Sequence, residues 1–318
     1  MIVLITGATG FIGKALTARL ASEGHSLRIL TRNPNATSAG SPPGAASGVR
    51  AFAWPSGGPV PDAAMQDVDA VVHLAGENIG QWPWTAKRKA RILDSRVRGT
   101  RELVAAMGRA ARKPAVFVAA SAVGYYGDGG ERLLDEKAEP GTGFLPEVCV
   151  AWEREIFRAE EMGIRTVAVR NGLVLGHGGA LAKLLPVYRW GAGATLGSGR
   201  QWWSWIHVQD TVGIMAHALA TPGLRGAVNG TAPDPVRQGE FALALAAAVR
   251  RPLLLKAPAL ALRIALGEMS ATLLQGQRTD GKKLAASGYT FRYPRIGLAL
   301  GNITAGGGRG KQNDGGGF

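Results

Sequence analysis

Three glycines near the start of the chain, Gly7, Gly10 and Gly13, limit its possible folds more than any other feature. They lie in Thr6-Gly7-Ala8-Thr9-Gly10-Phe11-Ile12-Gly13, directly after the apolar run Ile2 to Ile5. A short apolar run closed by glycine reads as a buried parallel strand. The next residues, Phe11 to Glu23, carry Ile12, Ala15, Leu16 and Leu20 at helical spacing, and Gly24 ends the pattern. In a strand-to-helix turn the first glycine permits the tight bend. The second lets the backbone approach a ligand, and the third lets the helix pack on the strand. Thr9, Gly10, Phe11 and Ile12 then form a helix N-terminus, whose free N–H groups suit a pyrophosphate.

The second strand, Leu27 to Leu30, runs into Thr31-Arg32-Asn33. An acidic side chain at this point accepts from the ribose hydroxyls of NAD. None occurs between Glu23 and Asp62. Arg32 offers a guanidinium suited to a 2′-phosphate, which points to NADP(H); the bland reading is a solvated loop residue.

Further strands are expected at Val49 to Trp54, Asp69 to Leu74, Ala115 to Ala120 and Arg165 to Val169, with helices at Thr85 to Ala111 and Leu145 to Met162. This alternation predicts an α/β fold of Rossmann type, a doubly wound parallel sheet, with its ligand outside the carboxyl ends of the strands. Residues 1–172 read as the dinucleotide-binding domain. Residues 173–300 read as a smaller, partly interleaved substrate lobe, with helices near Ala180 to Arg189, Asp210 to Ala220, Gly239 to Arg250 and Ala259 to Leu274. From Gly301 to Phe318 the glycine-rich sequence reads as a flexible tail.

Composition excludes several other classes. Hydrophobic residues at 46% and charged residues at 19% fit a globular chain rather than a disordered one. Cys149 is the sole cysteine, so no internal disulfide and no zinc finger can form. No secretory pattern is evident, and the apolar stretch Ala257 to Leu266 is too short to span a bilayer. The expectation is a soluble cytoplasmic protein with no membrane partner. The net charge of +14 is scattered along the chain as arginines, with one knot at Lys87-Arg88-Lys89. No recognition helix or RNP-like pattern accompanies it, so a nucleic-acid partner is not expected. A small-molecule substrate is expected, and the oligomeric state is left open.

With His73-Leu74-Ala75-Gly76-Glu77-Asn78 and Ser121-Ala122-Val123-Gly124-Tyr125-Tyr126-Gly127, the chain resembles the extended (atypical) short-chain dehydrogenase/reductase superfamily. Within it, the NAD-dependent epimerase/dehydratase family and its YfcH-like members are the nearest likeness. Trp84-Thr85, Ser95-Arg96-Val97, Trp152-Glu153, Trp205-Ile206-His207 and Gly276-Gln277-Arg278 contribute to it. The resemblance spans about residues 1 to 300. It implies an oxidoreductase or epimerase, with Leu74, Ala75 and Gly76 lining the adenosine side of the cofactor, Arg96 facing the cofactor channel and Val174 bordering the nicotinamide. The bland readings are core packing for Leu74 and Val174, and a carboxylate partner on its own helix for Arg96.

The catalytic part departs from that pattern. The superfamily pairs Tyr-x-x-x-Lys on a helix, the lysine lowering the tyrosine pKa. Counting back from Glu153 puts Cys149 at the lysine position and Leu145 at the tyrosine position, and the chain contains no other Tyr-x-x-x-Lys. The remaining catalytic candidates are Ser121, just past the fifth strand, and the phenols Tyr125 and Tyr126. A gapless match puts Ala122 in the serine position instead. A non-catalytic NADPH sensor or scaffold is therefore the alternative to an enzyme. Five of the eight tryptophans lie at Trp82, Trp84, Trp202, Trp203 and Trp205, either walling a pocket or packing lobes together. His207 has no second histidine at ligand spacing, so no metal is expected.

Overall fold

The computed structural model describes residues 1–34, 48–55 and 57–305. Seven strands form one sheet: β1 (Ile2–Thr6), β2 (Ser26–Thr31), β3 (Val49–Ala53), β4 (Ala70–His73), β5 (Val116–Ala122), β6 (Arg165–Asn171) and β7 (Gly226–Gly230). Their spatial order is β3-β2-β1-β4-β5-β6-β7, and every pairing is parallel. The order reverses between β1 and β4, the switch point of a Rossmann-type sheet.

Side chains alternate along each strand, and in the inner strands β1, β4, β5 and β6 they are buried on both faces, which explains the unbroken apolar runs, whereas the edge strand β3 is partly exposed. Val3 and Ile5, Val116 and Val118, and Val167 and Val169 face one cluster, formed with helices α1 (Phe11–Ser22) and α5 (Val208–Ala220). Leu4, Phe117, Ala119 and Ala168 face the other, formed with α2 (Ala86–Arg109) and α3 (Phe144–Phe157). Helix α2 begins where Thr85 accepts a hydrogen bond from the Arg88 N–H (3.2 Å), a cap worth about 1 kcal/mol.

A third cluster joins α4 (Gly179–Arg189), α6 (Gln238–Ala248) and α7 (Ile296–Ala305) around Trp203, Trp205 and Phe241. Asp210, at the start of α5, ties down the chain that leads to α7. It accepts hydrogen bonds from the Tyr289 hydroxyl and from the backbone N–H groups of Arg292 and Tyr293.

Three expectations need correction. The tail does not start at Gly301: α7 runs to Ala305, because Ala299, Leu300 and Ile303 share a helix face that buries against α6. The rest of that segment, 306–318, lies outside the described residues. Ser121 is not past the fifth strand but within it, since β5 continues to Ala122 beside Asn171. The helix expected over Ala259 to Leu274 is interrupted by a 3-10 turn at Gly267–Ser270. Among the described residues no helix is long and apolar enough to cross a membrane, and no cluster of His, Cys, Asp or Glu is placed to hold a metal.

Candidate active site

The glycine turn forms the wall of a crevice between β1 and β4. Gly7 has φ +71°, and a Cβ there would lie 2.7 Å from the Leu74 carbonyl carbon and 2.8 Å from the Ala75 nitrogen. A Cβ on Gly13 would stand 2.1 Å from the Gly7 oxygen. No side chain other than hydrogen fits at either place. Gly10 caps α1 without any side-chain hydrogen bond, and Thr9 and Gly10 are exposed, so the first helical N–H groups stay open to an anion. Phe11 is half-buried: Gly176 and Gly178 lie so close that a Cβ on either would be 2.5 Å from its ring. Ile12 packs against the α1 side of the core.

Thr31 ends β2 and its hydroxyl accepts from the Asn33 N–H at 3.3 Å. Arg32 follows, exposed and without an ion-pair partner among the described residues.

A buried chain of side chains fixes the far wall. Thr6 Oγ1 lies 2.6 Å from His73 Nδ1 and accepts from the Leu74 and Ala75 N–H groups, each at 3.2 Å. With both acceptor sites taken, the Thr6 hydroxyl donates to Nδ1, which puts the imidazole proton on Nε2. Nε2–H then donates to Thr100 Oγ1 at 3.1 Å, which also accepts from Trp152 Nε1 at 3.0 Å. Burial first, then the Arg96 charge, pushes the His73 pKa down to about 3, so the ring is neutral. Sequence reasoning missed this chain; the signal was a histidine closing an otherwise apolar strand.

Leu74 and Ala75 line the crevice half-buried, and Gly76 is exposed. Arg96 reaches over from α2: a Cβ on Gly76 would lie 3.3 Å from its Cζ. Arg96 Nη1 donates to the carbonyls of Glu77 (3.1 Å) and Ile92 (3.2 Å), and the guanidinium sits 5.0 Å from the Trp152 ring centroid. Val174 is half-buried on the short strand Leu173–Leu175, paired with Trp205–His207, and packs on the α5 side of the core.

At the carboxyl ends of β5 and β6 the polar groups are bound to one another. Ser121 Oγ donates to Glu153 Oε1 (2.6 Å). Glu153 is held by Arg170 in a two-pronged ion pair, 2.8 Å from Nε and 2.7 Å from Nη2, with both side chains buried. Arg170 Nη1 donates to the Tyr126 hydroxyl (2.9 Å), which in turn donates to Asn229 Oδ1 (2.7 Å). Burial pushes the Tyr126 pKa up to about 12. Ser121 and Tyr126 thus have their protons committed inside the protein. Tyr125 differs: it is half-buried, its ring lies 3.5 Å from the Arg170 guanidinium, and its hydroxyl has no hydrogen-bond partner among the described residues.

Leu145 and Cys149 lie one turn apart on α3 and face the segment after β5. A Cβ on Gly124 would be 3.6 Å from Leu145 Cβ and 3.9 Å from Cys149 Sγ. Burial, then Glu153, raises the thiol pKa to about 12, which makes Cys149 inert at neutral pH. Glu153 and Arg170 were missed as a pair. Arg170 ends the strand run Thr-Val-Ala-Val-Arg, and a buried charge there demands a partner.

The tryptophans divide between the two readings. Trp203 and Trp205 are core, whereas Trp202 is half-buried between the guanidinium groups of Arg237 and Arg278. Trp84 packs edge-on against Phe144, and Trp82 is exposed. His207 caps α5, its Nδ1 accepting from the Gln209 N–H at 3.1 Å.

The sequence model of the NAD dependent epimerase/dehydratase family matches residues 3–229, and a domain of unknown function, DUF1731, matches residues 257–303. An epimerase family protein of Mycobacterium bovis is 42% identical over 307 residues, 95% of this chain and 97% of its own length. Epimerase family protein YfhF of Bacillus subtilis is 38% identical, covering 96% and 98%. The crystal structure of human epimerase family protein SDR39U1, solved with NADPH, superposes with a TM-score of 0.84 at 32% identity, over 96% of this chain and 99% of that one. A nucleoside-diphosphate sugar epimerase of Corynebacterium glutamicum gives 0.76 at 30% identity, over 96% of this chain and 58% of that one. By sequence and by fold, the chain belongs to the NAD dependent epimerase/dehydratase family.

Proposed function

We propose that the chain is an NADP(H)-binding oxidoreductase or epimerase-like enzyme acting on a small carbonyl or hydroxyl substrate. The observation that carries this reading is the glycine turn. Glycine at Gly7 and Gly13, where a Cβ would strike neighbouring backbone, allows a turn tight enough to present the uncapped N–H groups beyond Gly10, which suits a pyrophosphate. The human relative solved with NADPH supports the same cofactor. Thr9, Phe11 and Ile12 would border the phosphates, and Thr31 with the unpaired Arg32 the 2′-phosphorylated ribose. Leu74, Ala75 and Gly76 would line the opposite wall, Arg96 the channel, and Val174 the nicotinamide end. NADPH supplies a hydride when bound. Of the three hydroxyl candidates, Tyr125 is the one we assign to proton exchange with substrate, because Ser121 and Tyr126 donate their protons to Glu153 and Asn229. The buried, lone Cys149 is consistent with a cytoplasmic setting.

A second reading, an NADPH sensor or scaffold without turnover, is favoured by one observation. Leu145 and the inert Cys149 stand at the two relay positions on α3.

Parallel calorimetric titrations with NADPH and NADH, on the wild type and on Arg32→Asp, test the cofactor assignment. The expected result is a preference for NADPH of about 10- to 100-fold that the substitution erases, the scale of a lost charge-assisted contact. Failure of the wild type to bind either nucleotide overturns both readings.

A further inference from the structure

Large apolar side chains stand in water on one part of the surface. Trp190 is 90% exposed, Leu254 81%, Ile264 78% and Leu260 68%, with Val187 and Leu255 about half exposed. Such residues scattered singly are ordinary, but a set gathered on one face marks a site of contact. Local structure gathers these. Val187 lies in the last turn of α4 and Trp190 caps its end. Arg251 Nε donates to the Arg189 carbonyl at 2.9 Å, which brings the chain before Leu254 against that helix end. A parallel pairing of three residues, about 10 Å long, then sets Leu255 opposite Ala194 and Ala257 opposite Leu196. A Cβ on Gly197 would lie 3.6 Å from the Ala259 Cβ, so the helix Ala259–Leu266 starts where this ribbon ends.

That helix reads Ala-Leu-Ala-Leu-Arg-Ile-Ala-Leu, and none of its residues is fully buried. Leu260 and Ile264, four apart, share its outer face. The face also lacks acid. From Met162 to Gln209 and from Phe241 to Gly267 the sequence holds no aspartate or glutamate. Arg189, Arg251, Lys256 and Arg263 are exposed on these segments, and none forms an ion pair among the described residues. The charge separates the possible occupants. A second copy docked through the same face would set arginine against arginine, with no carboxylate in either segment to answer them. Side chains this exposed protrude rather than line a groove. Protein hot spots sit in matching pockets, whereas a fluid lipid interface needs none. Apolar protrusions ringed by cations match a surface with an apolar interior and anionic headgroups.

We infer that this face docks on an anionic lipid surface. Trp190, Leu254, Leu260 and Ile264 enter the boundary between headgroups and acyl chains, while Arg189, Arg251, Lys256 and Arg263 meet lipid phosphates. The attachment lies on the bilayer and requires no spanning helix. It departs from the expectation of no membrane partner, which rested on the stretch Ala257 to Leu266 being too short to span. Glu268, just after the helix, pairs with Lys89 of α2 at 2.8 Å, so the docking face is held to a helix of the central sheet.

The test is flotation of the full-length chain with vesicles of phosphatidylcholine alone and of phosphatidylcholine with one-third phosphatidylglycerol. The chain is expected to float with the anionic vesicles and little with the neutral ones. Leu260→Ser with Ile264→Ser leaves the charge untouched and should weaken partitioning about 10- to 100-fold, the scale of two apolar side chains left in water. Lys256→Glu with Arg263→Glu should weaken it by about tenfold or more, and it serves if the serine pair does not fold. A wild type that does not float, or that floats equally with both vesicles, overturns the inference. So does flotation that the serine pair leaves unchanged, because it would then reflect the net charge of +14 rather than this face. A wild type that sediments as a dimer without lipid, and that the serine pair makes monomeric, overturns it in favour of a second copy on the same face.

Discussion

The two ends of the crevice are built on opposite terms. Around β1 and β2 the protein has removed side chains, leaving bare backbone, uncapped N–H groups and an exposed arginine. Around β5 and β6 it has filled the same sheet edge with a serine, a glutamate, an arginine, a tyrosine and an asparagine that satisfy one another. The first arrangement leaves backbone N–H groups open, whereas the second turns most of its polar groups on one another, Asn171 Oδ1 alone among its buried side-chain atoms lacking a partner among the described residues. Polar residues at a strand end are therefore not evidence of chemistry until their hydrogen bonds have been counted.

The contrast gives each region a different weakness. The first should be damaged by adding atoms, and the largest effect belongs to Gly13→Val. Its new side chain would collide with the Gly7 carbonyl, and NADPH binding by calorimetry should fall below detection. A variant that still binds NADPH would show that the turn is looser than its geometry. The second region should be damaged by removing atoms. Glu153→Ala strands the buried Arg170 charge and should cost about 3–5 kcal/mol in urea unfolding; a cost below about 1 kcal/mol would mean that water already shares that ion pair.

The wall between the regions should show in the pH dependence of stability. Folding depresses the His73 pKa from 6.5 to about 3. Its contribution is therefore complete above pH 6.5 and is lost as pH falls toward 3, because only the unfolded chain takes up the proton in that window. The expected slope is about 1.4 kcal/mol per pH unit, and it should be absent in His73→Gln. An unchanged slope in that variant would assign the loss to other groups.

The smallest effects separate the adjacent phenols. Tyr126→Phe should cost about 1–3 kcal/mol by leaving Asn229 Oδ1 and an Arg170 N–H without their partner, and should spare NADPH-dependent turnover over a carbonyl panel. Tyr125→Phe should leave stability within about 0.5 kcal/mol and abolish turnover. Full activity in Tyr125→Phe removes that residue from the mechanism.

The fold was legible in the sequence for a physical reason. Strands buried on both faces read as apolar runs, and the turn after β1 tolerates only glycine, so sheet and crevice could be located from local pattern. The positions of the glycine turn and of the exposed Arg32 were legible for the same reason, since both lie within a few residues of their strand. The β5–β6 end was not. Whether Ser121 is free depends on Glu153, 32 residues on, and whether Tyr126 is free depends on Asn229, 103 residues on. Tyr125 and Tyr126 look interchangeable as neighbours in a chain, and only tertiary pairing separates them. The end of α7 was missed similarly: Ile303 looked isolated among glycines, but it completes a face begun at Ala299.

The glycine turn bears on how such a crevice changes over generations. Its wall is main chain, so it presents few positions where a side chain can be exchanged for another without closing the gap. On the proposed reading, a change of preference between cofactors would pass through the side chains at the rim, Arg32 foremost. The codon for Arg32 would then set which dinucleotide is preferred, and the backbone around it would set that a dinucleotide is preferred at all.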